Sequence, residues 1–538
     1  MKLNLESLKD KAGWEKAGVA VPSFDVEAMR AETAENPVWV HFGAGNIFRG
    51  FIAQIQQRLL EQGKQKAGII AGDTFDFSVV DMIYRPFDNL TLLVEMHPDG
   101  KLDKEIIASI ADGIKANCED EEQFGKLKEI FRKPSLQMIS FTITEKGYAL
   151  HGLDGDFMGI VKSDIENGPE KPHHAMSIVC AMLYERYKAG KYKLAVVSMD
   201  NCSQNGKKLK EGVTTMAKEW QKKGFVDADF VAYLEDEKDV TFPWSMIDRI
   251  TPRPAESVQK TLEDLGIENM APVVTEKHTY IAPFVNTEVP HYLVIEDRFP
   301  NGRPPLDDAE GVFLTDRDTV NLSERMKVTT CLNPLHTALA VYGCVLGYET
   351  IADEMKDAEI VKLVSGIGYD EGMPVVIDPK IINPEQFIHE VIDKRLPNPY
   401  IPDTPQRIAM DTSQKVGIRY GETMRAYKKD GSRDLNTLTC IPLAIAGWCR
   451  YLLGVGDDGK EFQISPDPML EELQGFLKNV KLGDPGSGKG ALKPILSNKE
   501  IFGSDLYELG VGEKIEAIFE EEIAGPGAVR ATLKKYLD

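Results

Sequence analysis

The stretch Val38-Trp-Val-His-Phe-Gly43-Ala-Gly45-Asn46-Ile-Phe-Arg-Gly50 decides the fold. An apolar run stops at two glycines one residue apart, and apolar residues then recur at helical spacing as Phe48, Phe51, Ile52, Ile55 and Leu59. The pattern predicts a buried strand over 38–43 and a helix over 46–62, which Gly63 ends. A second apolar run, Ala67-Gly-Ile-Ile-Ala71, stops at Gly72-Asp73-Thr-Phe-Asp76. Strand, glycine turn, helix and strand within about forty residues open a doubly wound, Rossmann-type α/β sheet.

In such a turn the first glycine permits the sharp bend and the second lets backbone approach a pyrophosphate. The helix N-terminus then stabilises the phosphate charge. Gly43 and Gly45 can fill these roles, with Asn46 at the helix start. The third glycine of the full fingerprint would fall at Phe48, and Gly50 comes two residues late, so a plain tight strand-to-helix connection fits too. A carboxylate after the second strand suits the ribose hydroxyls of NAD, whereas NADP calls for a cation there. Asp73 and Asp76 occupy that neighbourhood, and no Arg or Lys follows until Arg85, which favours NAD. Either aspartate could equally be a solvated turn residue.

Outward from this unit, Leu136-Gln-Met-Ile-Ser-Phe-Thr-Ile-Thr144 and Leu194-Ala-Val-Val-Ser198 read as further strands with polar residues at their carboxyl ends. Beyond about residue 290 helical patterns over 334–347, 436–454 and 467–479 dominate. The expected organisation is therefore a dinucleotide-binding domain over 1–290 and a mostly helical substrate domain over 291–538. Pro-rich patches at 299–305 and 397–405 are too short to be linkers between independent modules.

A chain of 538 residues exceeds what one core usually organises, which agrees with two domains. A formal charge of −22 opposes any sequence-independent grip on nucleic acid. No segment approaches the ~20 apolar residues of a membrane helix, and the N-terminus lacks the apolar core of a secretory signal, so a cytoplasmic protein is expected. Seven cysteines without C-x-x-C spacing suit reduced thiols rather than a disulfide framework. His173-His174 and His389-Glu390 lack metal-site spacing and are expected on the surface or in packing; no metal site is expected. No residue pattern commits the chain to an oligomeric state.

A second stretch carries chemistry: Lys327-Val-Thr-Thr-Cys-Leu-Asn333-Pro-Leu-His336 gathers an amine, an amide and an imidazole in ten residues. Oxidising a secondary alcohol without a metal needs a side-chain base, and a lysine can serve once burial or a nearby cation lowers its reference pKa of about 10.4. Asn333 and His336 could donate hydrogen bonds to the carbonyl oxygen in the reverse direction. A snorkelling surface lysine and a helix-capping asparagine are the alternative.

Together these segments resemble the long-chain mannitol dehydrogenase family of polyol and sugar-acid dehydrogenases. The likeness runs in order through 41–49, Thr142-Ile-Thr-Glu-Lys-Gly-Tyr148, Ser198-Met-Asp-Asn201-Cys-Ser-Gln-Asn205-Gly206, Ile247-Asp248-Arg-Ile-Thr-Pro252, Glu296-Asp-Arg-Phe-Pro-Asn-Gly-Arg-Pro304, 327–336 and Asp403-Thr-Pro-Gln-Arg407. The resemblance implies an NAD(P)-binding Rossmann-type domain, a helical C-terminal domain, a site in the cleft between them and no catalytic metal. It implies Lys327 as general base, with Asn333, His336, Asn201 and Asp248 beside it in the active site. It further implies Arg407 and Lys415 as substrate-binding cations and Glu324 as a proton relay towards solvent. The substrate would be a small sugar acid or polyol. Likeness around Phe42–Phe51 and Asn333–Ala340 favours the branch that interconverts D-fructuronate and D-mannonate, with mannitol oxidation and tagaturonate reduction as alternatives.

This chain departs from the family pattern in placing five residues between the lysine and the asparagine, where four are usual, and in carrying Pro334 in place of a glycine. On one regular helix, nine residues at ~100° each would set Lys327 and His336 on opposite faces. The helix is therefore expected to bulge, kink or begin anew between them, with Pro334 suited to a first turn. A reading from another class rests on Gly483-Asp-Pro-Gly-Ser-Gly488-Lys489-Gly490, which nearly spells a nucleotide-phosphate loop. Gly490 stands where the magnesium-holding Ser or Thr should be, and the residues before it look helical.

Overall fold

In the computed structural model, which describes residues 1–152 and 154–538, the opening run forms strand β1, Trp39–Phe42. Five more parallel strands join it: β2, Ile69–Asp73; β3, Ile110–Lys115; β4, Met138–Phe141; β5, Leu194–Ser198; and β6, Val240–Thr241. Their spatial order is β3-β2-β1-β4-β5-β6, the Rossmann arrangement, whose order reverses between β1 and β4. Successive side chains point to opposite faces, so Trp39, Ile69, Met138 and Val197 enter one core while Val40, Phe42, Ile139 and Val196 enter the other. Both faces are covered, which is why these strands read as continuous apolar runs.

Helix α1, Ala53–Glu61, follows a wide π turn over Phe48–Ile52, so the helix expected over 46–62 is present with an irregular first part. On the other face α2, Asn205–Lys222, buries Leu209, Val213, Met216, Ala217 and Trp220, a stripe at helical spacing.

The chain folds as two units, Met1–Asn321 and Leu322–Asp538. Sequence periodicity placed the division near residue 290, ahead of the strand Tyr292–Glu296. That strand instead belongs to the first unit, because it pairs antiparallel with Ser245–Asp248 and parallel with Val312–Thr315. Among the described residues of the second unit there is no strand. Its principal helices are α3, Asn333–Leu346; α4, Cys440–Tyr451; and α5, Gly512–Glu522. Buried Tyr342 of α3 reaches both other helices, its hydroxyl 2.8 Å from the Leu443 carbonyl and 2.7 Å from Glu522 Oε1. Gly447 makes room for that ring, since a Cβ there would lie 2.5 Å from it. Among the described residues no helix is long and apolar enough to cross a membrane.

Candidate active site

The glycine turn sits where the strand order reverses, at the carboxyl end of β1. Gly43 adopts φ 110°, and a Cβ there would fall 2.2 Å from the Thr142 carbonyl oxygen at the end of β4, so only glycine fits. Gly45 differs, because a Cβ there would meet nothing within 4 Å; the space above the turn is open. Asn46 is held by Arg49, whose Nη2 donates to Asn46 Oδ1 at 2.9 Å, while Arg49 Nη1 donates to the Ala282 carbonyl at 2.8 Å. Below the turn His41 lies between Ser140 Oγ and Thr142 Oγ1 at 2.7 and 2.8 Å and stacks on Phe48. Its burial pulls the imidazole down to about 3, so it is neutral scaffolding.

The two aspartates after β2 differ in their surroundings. Asp73 accepts from the backbone N–H groups of Phe75 and Asp76 at 2.8 and 2.7 Å and of Ala44 at 3.3 Å, which ties β2 to the glycine turn. Burial raises it to about 6 against those three donors. Asp76 is buried as well. Its Oδ2 accepts from Thr275 Oγ1 at 2.5 Å, and Oδ1 has no protein partner among the described residues. An open space over Gly45, a helix start and a carboxylate oxygen left over after β2 fit a dinucleotide with free ribose hydroxyls.

Asn201 is exposed in the turn after β5, and Asp248 is buried at the end of the strand Ser245–Asp248. Asn205 joins the two places, its Nδ2 donating to the Asp200 and Ser245 carbonyls, both at 3.0 Å. Asp200 in turn accepts from the Ile143 and Thr144 N–H groups at 2.9 and 2.8 Å.

In the second unit the Lys327 stretch resolves its extra residue as the phase argument requires. The helix Arg317–Met326, which carries Glu324, runs into a π turn over Lys327–Cys331, and the Leu332 N–H donates to the Lys327 carbonyl at 3.1 Å. Leu332 then leaves helical geometry at φ −135°, ψ −60°, and α3 begins at Asn333 with Pro334 in its first turn. A π turn houses one residue more than an α turn. The extra residue is thereby absorbed, and Lys327 and His336 sit on two successive helical segments instead of on opposite faces of one regular helix. Lys327 is 2% exposed, while Asn333 and His336 remain partly accessible.

Charge collects around His336. Burial lowers it to about 4, Asp403 opposes that, and Arg419, Arg395 and Arg407 add to it, so the ring is neutral at ordinary pH with one N–H to offer. Of the two expected cations, Arg407 is largely committed, since its Nε and Nη2 grip both oxygens of Asp403 at 2.6 and 2.5 Å. Lys415 donates to the Met410 carbonyl and is held below its ordinary value by burial and by Arg419. Asp403 entered the sequence reading only as the start of the Arg407 motif, with no role, and Arg419 did not enter it; the one available signal for Arg419 was its place one helical turn after Lys415.

The remaining sequence candidates fall outside this chemistry. Residues 483–490 are preceded by the helix Leu470–Leu477 and fold as a short 3₁₀ turn over Pro485–Gly488, so no strand feeds a phosphate loop. His174 accepts from the Met176 N–H as a helix cap, and exposed His389 pairs with Asp393. His173 Nε2 lies 3.5 Å from both Cys118 Sγ and Glu119 Oε1, a grouping of possible metal ligands that sequence spacing did not show.

Comparison with known proteins agrees with both units. Residues 38–307 match the mannitol dehydrogenase Rossmann domain and residues 320–521 the mannitol dehydrogenase C-terminal domain. A D-mannonate oxidoreductase of Thermotoga maritima is 55% identical over 538 residues, covering 100% of this chain and 99% of that protein. Among solved structures, a substrate-free D-sorbitol dehydrogenase superposes with a TM-score of 0.79 at 27% identity, covering 96% of this chain and 98% of its own. A Pseudomonas fluorescens mannitol 2-dehydrogenase in ternary complex with NAD and D-mannitol gives 0.71 at 25% identity, covering 100% and 99%. The strand order, the glycine turn and the full-length matches lead to one conclusion: the chain belongs to the mannitol dehydrogenase family.

Proposed function

We propose that this protein is an NAD-dependent oxidoreductase that interconverts D-fructuronate and D-mannonate, with Lys327 as the acid and base. The observation that carries the reading is the 55% identity, end to end, with a D-mannonate oxidoreductase. The interrupted helix supports the residue roles, because Lys327 and His336 are not fixed on opposite faces of one regular helix.

Gly43, Gly45 and Asn46 would hold the dinucleotide, with Asp76 or Asp73 towards its ribose, and it would supply the hydride acceptor or donor. The chain's own residues handle the proton and the developing charge. In oxidation, unprotonated Lys327 Nζ takes the proton of the secondary hydroxyl as the C–H bond gives up hydride. In reduction, the protonated amine returns it to the forming alkoxide. Asn333 Nδ2 and the neutral ring of His336 donate to that oxygen, and these bonds strengthen as charge builds in the transition state. In this reading Asn201 and Asp248 supply further polar groups, Arg407 and Lys415 bind the sugar chain, and Glu324, one turn before Lys327, passes the proton on.

Following NADH oxidation with D-fructuronate, D-tagaturonate and D-fructose tests the substrate. The highest kcat/KM is expected with D-fructuronate by at least ~10²-fold over D-fructose. Preference for D-fructose would make the protein a mannitol 2-dehydrogenase instead, and preference for D-tagaturonate a tagaturonate reductase.

A further inference from the structure

A sugar acid differs from a polyol by one carboxylate, and the second unit holds a cation with capacity to spare. Arg419 lies in the π turn Gly417–Gly421, one turn after Lys415, whose carbonyl accepts the Arg419 N–H at 3.0 Å. Its Nη1 donates to Thr337 Oγ1 at 2.6 Å, and Thr337 follows His336 directly in α3. Among the described residues, Nε and Nη2 have no protein acceptor, and neither is sealed from solvent. No carboxylate among the described residues stands near enough to support the charge, and burial pulls the guanidinium down to about 10. Arg407 has the opposite surroundings, with both oxygens of Asp403 on its fork.

An arginine withdrawn from water without an acid is costly, and a second cation at Lys415 adds repulsion. An arriving carboxylate would remove both penalties. It would also find two N–H groups on one edge of a guanidinium whose far side is fixed by Thr337, the geometry for a bidentate pair.

We propose that Arg419 is the carboxylate-binding residue that makes this site select a sugar acid over an uncharged ketose or polyol. The assignment rests on the function proposed above and goes beyond it by locating the discriminating contact. Arg419→Met and Arg419→Lys are compared with the wild type on D-fructuronate, D-tagaturonate and D-fructose, with NADH affinity and Tm recorded for each. In Arg419→Met the fructuronate-to-fructose ratio of kcat/KM is expected to fall by roughly 10²-fold, chiefly through KM, and in Arg419→Lys by less. A merely structural arginine would lower both substrates in parallel, and an unchanged ratio overturns the assignment. A wild type that prefers D-tagaturonate sinks the fructuronate reading alone, and Arg419 is then judged on the tagaturonate-to-fructose ratio. A wild type that prefers D-fructose sinks both. Where Arg419→Met does not fold, Arg419→Gln, which can still donate to Thr337, carries the same comparison.

Discussion

Glu522 gives the second unit a pH dependence whose size can be worked out. Its Oε1 lies 2.7 Å from the Tyr342 hydroxyl, which is also 2.8 Å from the Leu443 carbonyl oxygen. One phenol carries one proton. An ionised Glu522 would claim it and leave the Leu443 carbonyl only its partner within the helix, whereas a protonated Glu522 donates to the phenol oxygen and frees its proton for a second bond to Leu443. Burial accordingly raises Glu522 from 4.5 to about 8. The folded state thus keeps a proton that the unfolded chain loses above pH ~4.5, so stability is greatest below that pH and declines as pH rises towards about 8. Each unit costs about 1.4 kcal/mol, and the 2.5 units to pH 7 cost about 3 kcal/mol.

Glu522→Gln keeps the shape and imitates the protonated acid, its Nε2 donating to Tyr342. The variant should match the wild type near pH 4.5 and exceed it by about 3 kcal/mol at pH 7, the gap growing by about 1.4 kcal/mol per unit and levelling off above about 8. Urea unfolding followed by far-UV circular dichroism at pH 5, 6, 7 and 8 reads this gap. A difference that stays flat across that range, or narrows with rising pH, would refute the protonated-carboxyl argument.

Three further outcomes are expected. Lys327→Met should lower kcat by about 10²–10⁴-fold, with NADH affinity retained, because the amine moves the proton and does not hold the dinucleotide; near-normal turnover in stopped-flow assays removes Lys327 from the mechanism. Asp76→Ala should weaken NADH binding roughly tenfold by fluorescence titration, through loss of the carboxylate that has an oxygen left over; an unchanged Kd transfers the ribose contact to Asp73. In Arg419→Met the loss should be confined to substrates that carry a carboxylate.

Several features were legible in the linear order of residues because their causes are local. An apolar run ended by glycines must be a buried strand turning sharply, and Gly43 confirms it, since nothing larger clears the Thr142 carbonyl. The broken helix was legible for a similar reason, since nine residues at helical pitch cannot bring Lys327 and His336 to one side without an interruption. Sequence alone therefore determined the doubly wound sheet and the helical second half, and it singled out the segment proposed to carry the chemistry. The tertiary structure decided which partner each charged group obtained. Arg407 and Arg419 look alike in the sequence, yet among the described residues one is gripped by Asp403 and the other holds only a threonine hydroxyl. Asp73 and Asp76 look alike too, and folding gives one three backbone donors and leaves the other with a spare oxygen. Backbone sterics and periodicity act between neighbours along the chain, whereas the charge and protonation of a buried group depend on residues far off in sequence that only folding brings within hydrogen-bonding distance.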